Sequence, residues 1–140
     1  MGSDLNAIAR LIISDSTMMK HSPGFLKLVK DVKKHIKEIT VRGVQEKLQR
    51  GDNFRLIDTR EEHEWGAGHI AGAVHLGKGV IERDIEKTVP DKSTEIVLYC
   101  GGGYRSVLAA DNLKKMGYKK VFSMAGGWRR WKKEKGRITR

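Results

Sequence analysis

Tyr99-Cys100-Gly101-Gly102-Gly103-Tyr104-Arg105-Ser106 is the stretch from which the rest of this chain can be read, and it contains the one cysteine of the protein. Ahead of it, Glu95-Ile96-Val97-Leu98-Tyr99 is a short apolar, β-branched run of the kind a buried strand requires. Behind it, Val107 to Met116 carries apolar residues at helical spacing. The thiol is therefore expected at a strand-to-helix turn. In a parallel sheet such a turn lies at the carboxyl edge of the strands, where open α/β folds place their ligands. Three consecutive glycines let backbone N–H groups turn inward without obstruction by a Cβ, forming a cradle for an anion around sulfur. Those amides, the amino terminus of the helix and Arg105 all favour negative charge on Cys100, the form in which sulfur is a nucleophile.

Composition limits what surrounds this turn. The chain has 140 residues, 39% apolar and 32% charged, which suits one globular domain with a real core. The longest early apolar cluster, Ile8-Ala9-Arg10-Leu11-Ile12-Ile13, is short and broken by arginine, so neither a membrane span nor a cleaved leader is expected, and a cytoplasmic protein is. A single cysteine excludes an intramolecular disulfide and leaves no resolving thiol, so covalent sulfur chemistry has to end on an outside acceptor. The net charge of +11 would suit nucleic acid, an anionic membrane or small anionic substrates. Its densest run, Arg129 to Arg137, is terminal, and no nucleic-acid module accompanies it, so steering of small anions is expected and nucleic-acid binding is not.

Residues 1–21 read as a poorly ordered N-terminal extension and residues 22–140 as a single domain. Phe25, Leu28, Val29, Val32 and Ile36 recur at helical spacing, and Glu38-Ile39-Thr40 resembles a short strand. Thr40 suits the N-cap of a helix that stops at Gly51. Phe54 to Asp58 is the next strand, followed by one helical turn over Glu61 to Trp65, with Trp65 expected in the core. A glycine-punctuated turn around His69 leads into a strand at Ala73 to Leu76, and Val80, Ile81 and Ile85 mark a short helix. Gly117 ends the helix after Ser106, Lys120-Val121-Phe122 is the last strand, and Gly126-Gly127 returns toward Cys100. Trp128 and Trp131, one turn apart, are expected as core anchors, with Trp128 also close enough to wall the site mouth.

The Cys100 loop resembles the active-site loop of the rhodanese family of single-domain sulfurtransferases. The resemblance extends to Asp58-Thr59-Arg60 with Glu64-Trp65, to Gly68-His69-Ile70-Ala71-Gly72-Ala73, and to Gly126-Gly127-Trp128 with Trp131, together covering residues 41–135. The family usually has proline where Ala71 stands. The resemblance implies a three-layer α/β/α rhodanese-like fold with a central, mainly parallel sheet. It also implies transfer of the sulfane sulfur of thiosulfate through a Cys100 persulfide, held by Gly101, Gly102, Gly103, Tyr104, Arg105 and Ser106. A thiophilic acceptor (cyanide, glutathione or a protein thiol) then takes the sulfur, with neither metal nor organic cofactor required.

The remaining candidates carry two readings each. Asp58 and Arg60 alone would read as a surface ion pair, and the resemblance makes them supports of the Cys100 loop. His69 suits a general base or a clasp for its own loop, and the clasp is expected because an activated thiolate needs no base. Lys78 and Arg83 read equally as donors to an anionic substrate and as a solvated helix face. Arg105 either orients the donor dianion or turns back to a carboxylate such as Glu64.

Three other activities compete. The cell-cycle phosphatases that share the fold, and arsenate reductases, also use cysteine, glycine and arginine, but those phosphatases place one residue more between cysteine and arginine than the four here. A binding module without chemistry would not need the intact loop. Mercaptopyruvate-type relatives tend to end the loop in uncharged residues, whereas Arg105 favours a dianion.

Overall fold

The computed structural model describes residues 21–140, so the extension expected over 1–21 lies almost wholly outside the described residues. Among the described residues thirteen elements follow one another in chain order. They are α1 (Pro23–Lys33), β1 (Lys37–Ile39), α2 (Val41–Arg50), β2 (Arg55–Asp58), α3 (Glu62–Ala67), β3 (His69–Ile70), β4 (Val74–His75), α4 (Ile81–Thr88), β5 (Glu95–Tyr99), α5 (Arg105–Lys115), β6 (Lys120–Met124), α6 (Gly127–Lys133) and β7 (Ile138–Thr139). Local chemistry explains several boundaries. Ser22 caps α1 ahead of Pro23, Thr40 Oγ1 accepts the Gly43 N–H at 3.0 Å to start α2, and Gly51, in the left-handed region, ends it.

Five strands form one parallel sheet in the order β1-β6-β5-β2-β4. The period-2 alternation of β5 divides the core. Ile96 and Leu98 face α1, α4 and α5, while Val97 and Tyr99 face α2 and α6 with Trp131. The result is the expected three-layer α/β/α arrangement. In the sheet Asp58 stands opposite Tyr99, and Leu98 opposite Ser123, so Cys100 emerges at the carboxyl edge between β2 and β6.

Three local expectations are corrected, and one strand pair is new. The first helix stops at Lys33 and leaves Leu28 52% exposed, while Ile36 reaches the core from the turn that follows. The last strand of the sheet runs on to Met124, because parallel pairing with β1 continues through Ile39. Trp65 is half-buried and stacks on two histidine rings, His69 at 3.4 Å and His75 at 5.2 Å between centroids, so it belongs to neither core cluster. An antiparallel pair, β3 with β7, was not anticipated. It straps residues 136–140 over Trp131, whose Nε1 donates to the Arg137 carbonyl at 3.1 Å.

Candidate active site

Cys100 follows β5 directly and is 1% exposed. Its Sγ accepts the Gly103 N–H at 3.1 Å and the Ser106 N–H at 3.4 Å, so the loop curls around the sulfur as its glycines permit. Gly103 has φ +94°, and a Cβ there would meet the Gly126 nitrogen at 3.1 Å. The Ser106 hydroxyl lies 3.5 Å from Sγ and 2.8 Å from the Ser123 hydroxyl, both serines being fully buried. Amide donors aimed at sulfur stabilise a negative charge there, which suits a nucleophile.

The returning turn locks the loop from the other side. Trp128 N–H donates to the Cys100 carbonyl at 2.7 Å and Arg129 N–H to the Gly101 carbonyl at 3.1 Å. Gly127 makes this approach possible: a Cβ would stand 2.4 Å from the Cys100 oxygen, and its φ is +56°.

The support is built at the end of β2. Asp58 is fully buried and Arg60 is 2% exposed. Arg60 Nη2 donates to Asp58 Oδ2 at 2.8 Å and to the Gly68 carbonyl at 2.7 Å, tying β2 to the glycine turn. The Tyr99 hydroxyl accepts the Ile70 N–H at 3.1 Å and hydrogen-bonds Asp58; burial first, then Asp58, pushes its pKa far up, so it stays a neutral phenol. The Arg60 guanidinium also lies 4.6 Å from the Trp128 ring centroid. Asp58, Arg60 and Trp128 thus form one framework around the Cys100 loop.

Arg105 adopts the second of its two expected orientations. Its Nη1 and Nη2 reach Glu64 Oε1 and Oε2 at 3.1 and 3.4 Å. Glu64 Oε1 also accepts the Glu61 N–H at 2.9 Å. Burial pushes the Glu64 carboxyl up, but the hydrogen bonds from Arg105 and Glu61 more than offset it and hold it below the ordinary carboxylate value. Burial likewise works against the charge of Arg105, and Glu64 with Cys100 holds its pKa above the usual arginine value.

His69 takes the clasp geometry, its Nδ1 donating to the Trp65 carbonyl at 3.1 Å. Lys78 stands beside the end of β2 through its N–H, 2.9 Å from the Thr59 carbonyl. Arg83 spends its guanidinium on the neighbouring Asp84 at 2.8 and 2.9 Å, on an exposed face. Two residues were missed. Ser123 is a small polar residue within an apolar strand, a signal available in the sequence. Arg129 was hidden in the basic terminal run, although its guanidinium turns to the residue after Cys100: a Cβ at Gly101 would lie 3.7 Å from Arg129 Nη2.

Comparison with known proteins places the chain in a family. Residues 40–134 match the model of the rhodanese-like domain. The chain is 36% identical over 99 residues to YtwF of Bacillus subtilis, to which a sulfurtransferase role is attributed, covering 71% of this chain and 93% of that one. It is 34% identical over 77 residues to the thiosulfate sulfurtransferase GlpE of Coxiella burnetii, covering 55% of this chain and 70% of GlpE. YrkF of B. subtilis, to which a sulfur carrier role is attributed, is 33% identical over 96 residues, covering 69% of this chain; the chain spans only 51% of YrkF. Among solved structures, RPA3614 of Rhodopseudomonas palustris, a protein of unknown function described as a possible tyrosine phosphatase, superposes with TM-score 0.78 at 25% identity. That match covers 85% of this chain and 96% of RPA3614.

Proposed function

We propose that this chain, which belongs to the rhodanese-like family, moves the sulfane sulfur of thiosulfate through a persulfide on Cys100 to a thiophilic acceptor. The observation that carries the proposal is the sulfur itself, buried in a loop whose Gly103 and Ser106 amides donate to it. In the first step Cys100 Sγ, as thiolate, attacks the outer sulfur of thiosulfate. A new S–S bond forms, the old one breaks, and its electron pair leaves with sulfite. In the second step cyanide, or the thiolate of glutathione or a protein, attacks the outer sulfur of the persulfide and restores the Cys100 thiolate. Both steps are heterolytic displacements in which Cys100 carries the sulfur between donor and acceptor.

Support for thiosulfate as donor comes from the name of GlpE, and support for a protein acceptor from the carrier role attributed to YrkF. A reducing compartment such as the cytoplasm would keep the lone thiol available. Arg105, paired with Glu64, ties the loop to α3.

Intact-mass measurement after incubation with thiosulfate tests the reading. One added sulfur atom on the wild-type chain, absent from Cys100→Ser, is expected. No adduct on either, or Cys100-dependent hydrolysis of p-nitrophenyl phosphate in its place, would overturn it.

A further inference from the structure

We propose that the basic cleft opening from the Cys100 loop between α2 and α6 docks an acidic polypeptide segment beside the accepting thiol, a reading that rests on sulfur transfer through Cys100. The chain has one cysteine and so no internal thiol to receive the persulfide sulfur. The acceptor must come to the loop, and the surface it meets selects it.

The cleft has a volume of about 780 Å³ and begins at Gly102 and Tyr104 of the loop itself. Its walls carry Arg42 from α2 and Arg129, Arg130 and Lys133 from the α6 side. Among the described residues lining it, Glu134 is the one carboxylate, and Arg130 already engages it at 3.1 Å. Among the described residues Arg42 meets Glu46 through a long 3.7 Å contact, with its side chain 84% exposed, so an incoming carboxylate can compete for it. The cationic wall reaches the chemistry through Arg129, whose N–H is bonded to the Gly101 carbonyl and whose guanidinium flanks Gly101.

Size and charge together indicate the occupant. Thiosulfate would fill a small part of this space, whereas pockets of roughly 300–1,000 Å³ accommodate much larger ligands. Carboxylates spaced along a peptide match cations spread over two helices. Single-stranded nucleic acid would want aromatic faces for its bases. Tyr104 is the one aromatic residue in the described lining, and its ring is held edge-on by His21 at 4.9 Å and Phe25 at 6.4 Å.

The experiment loads the full chain with thiosulfate and follows sulfur uptake by cysteine peptides of equal length, one flanked by Asp and Glu and one by Lys. Each rate is taken relative to that with dithiothreitol. At low salt the acidic peptide is expected to be preferred by about tenfold, and near 0.5 M salt the preference should shrink toward unity, because screening at that strength acts within a few ångströms. The double variant Arg42→Glu, Lys133→Glu should lower the ratio by about tenfold at low salt, and Arg42→Lys should keep it. Persulfide that passes to dithiothreitol but shows no preference between the peptides overturns the dock and leaves the transfer reading standing. Absence of any persulfide overturns both. A single-stranded oligonucleotide that blocks uptake at lower concentration than a cysteine-free acidic peptide overturns the assignment to a polypeptide.

Discussion

Arg105 points both terminal nitrogens at Glu64, 41 positions earlier in the chain, and so joins the first turn of α5 to the first turn of α3. Neither side chain is fully buried, at 30% and 28% exposure. Such a pair lies between a surface contact and a desolvated one, worth about 1–2 kcal/mol. Arg105→Ala should therefore lower the melting temperature by a few degrees and reduce turnover in proportion with every sulfur donor. Arg105→Lys should be scarcely better, since it cannot fork. An unchanged melting temperature with turnover lost toward thiosulfate alone would show that Arg105 grips the donor after all.

The same pair predicts a pH dependence. Glu64 is held below its ordinary value in the folded chain, so its contribution to stability is present above the unfolded carboxylate value and is lost as pH falls through the lower, folded one. The difference in melting temperature between wild type and Arg105→Ala should accordingly be largest near neutrality and vanish in acid. A difference that grows on acidification would contradict the pairing.

Cys100→Ser should abolish thiosulfate-to-cyanide transfer while leaving the fold intact. A hydroxyl fits the same cradle but cannot carry sulfane sulfur. Circular dichroism beside the thiocyanate assay checks both halves, and substantial residual turnover would rule out the persulfide route.

Gly127→Ala is expected to be among the most damaging small substitutions. Its Cβ would fall 2.4 Å from the Cys100 oxygen and 2.9 Å from the Gly101 carbonyl, all backbone atoms, in a left-handed conformation. The cost should be about 3 kcal/mol or more, read as a lower urea midpoint together with loss of transfer. A fully active, equally stable variant would mean that the loop does not rest on this turn.

Asp58→Ala should cost about 3–5 kcal/mol, because it leaves the Arg60 charge buried without its carboxylate. The double variant Asp58→Ala, Arg60→Met should recover part of that stability. If the single substitution is neutral in urea unfolding, the pair is not the support described here.

The strand, glycine turn and helix around Cys100 were legible in the sequence because each depends on local chemistry: apolar periodicity, β-branching and the absence of Cβ atoms over residues 101–103. The caps at Thr40 and Gly51 were legible for the same reason. What could be read only from the tertiary structure are relationships between distant residues with more than one available partner. Arg105 could serve a ligand or Glu64, and α3, packed beside the loop, supplies the carboxylate. Trp65 carries the composition of a core residue yet stacks on His69 and His75, because α3 buries none of its residues. Ser123 meets Ser106 only because β6 pairs with β5 in a register that no local pattern encodes. Arg129 looked like one cation in a solvated run until the return of Gly126-Gly127 set its N–H on the Gly101 carbonyl. Periodicity and turn chemistry act over a few residues, whereas register and the docking of helices are decided by the packing of the whole core.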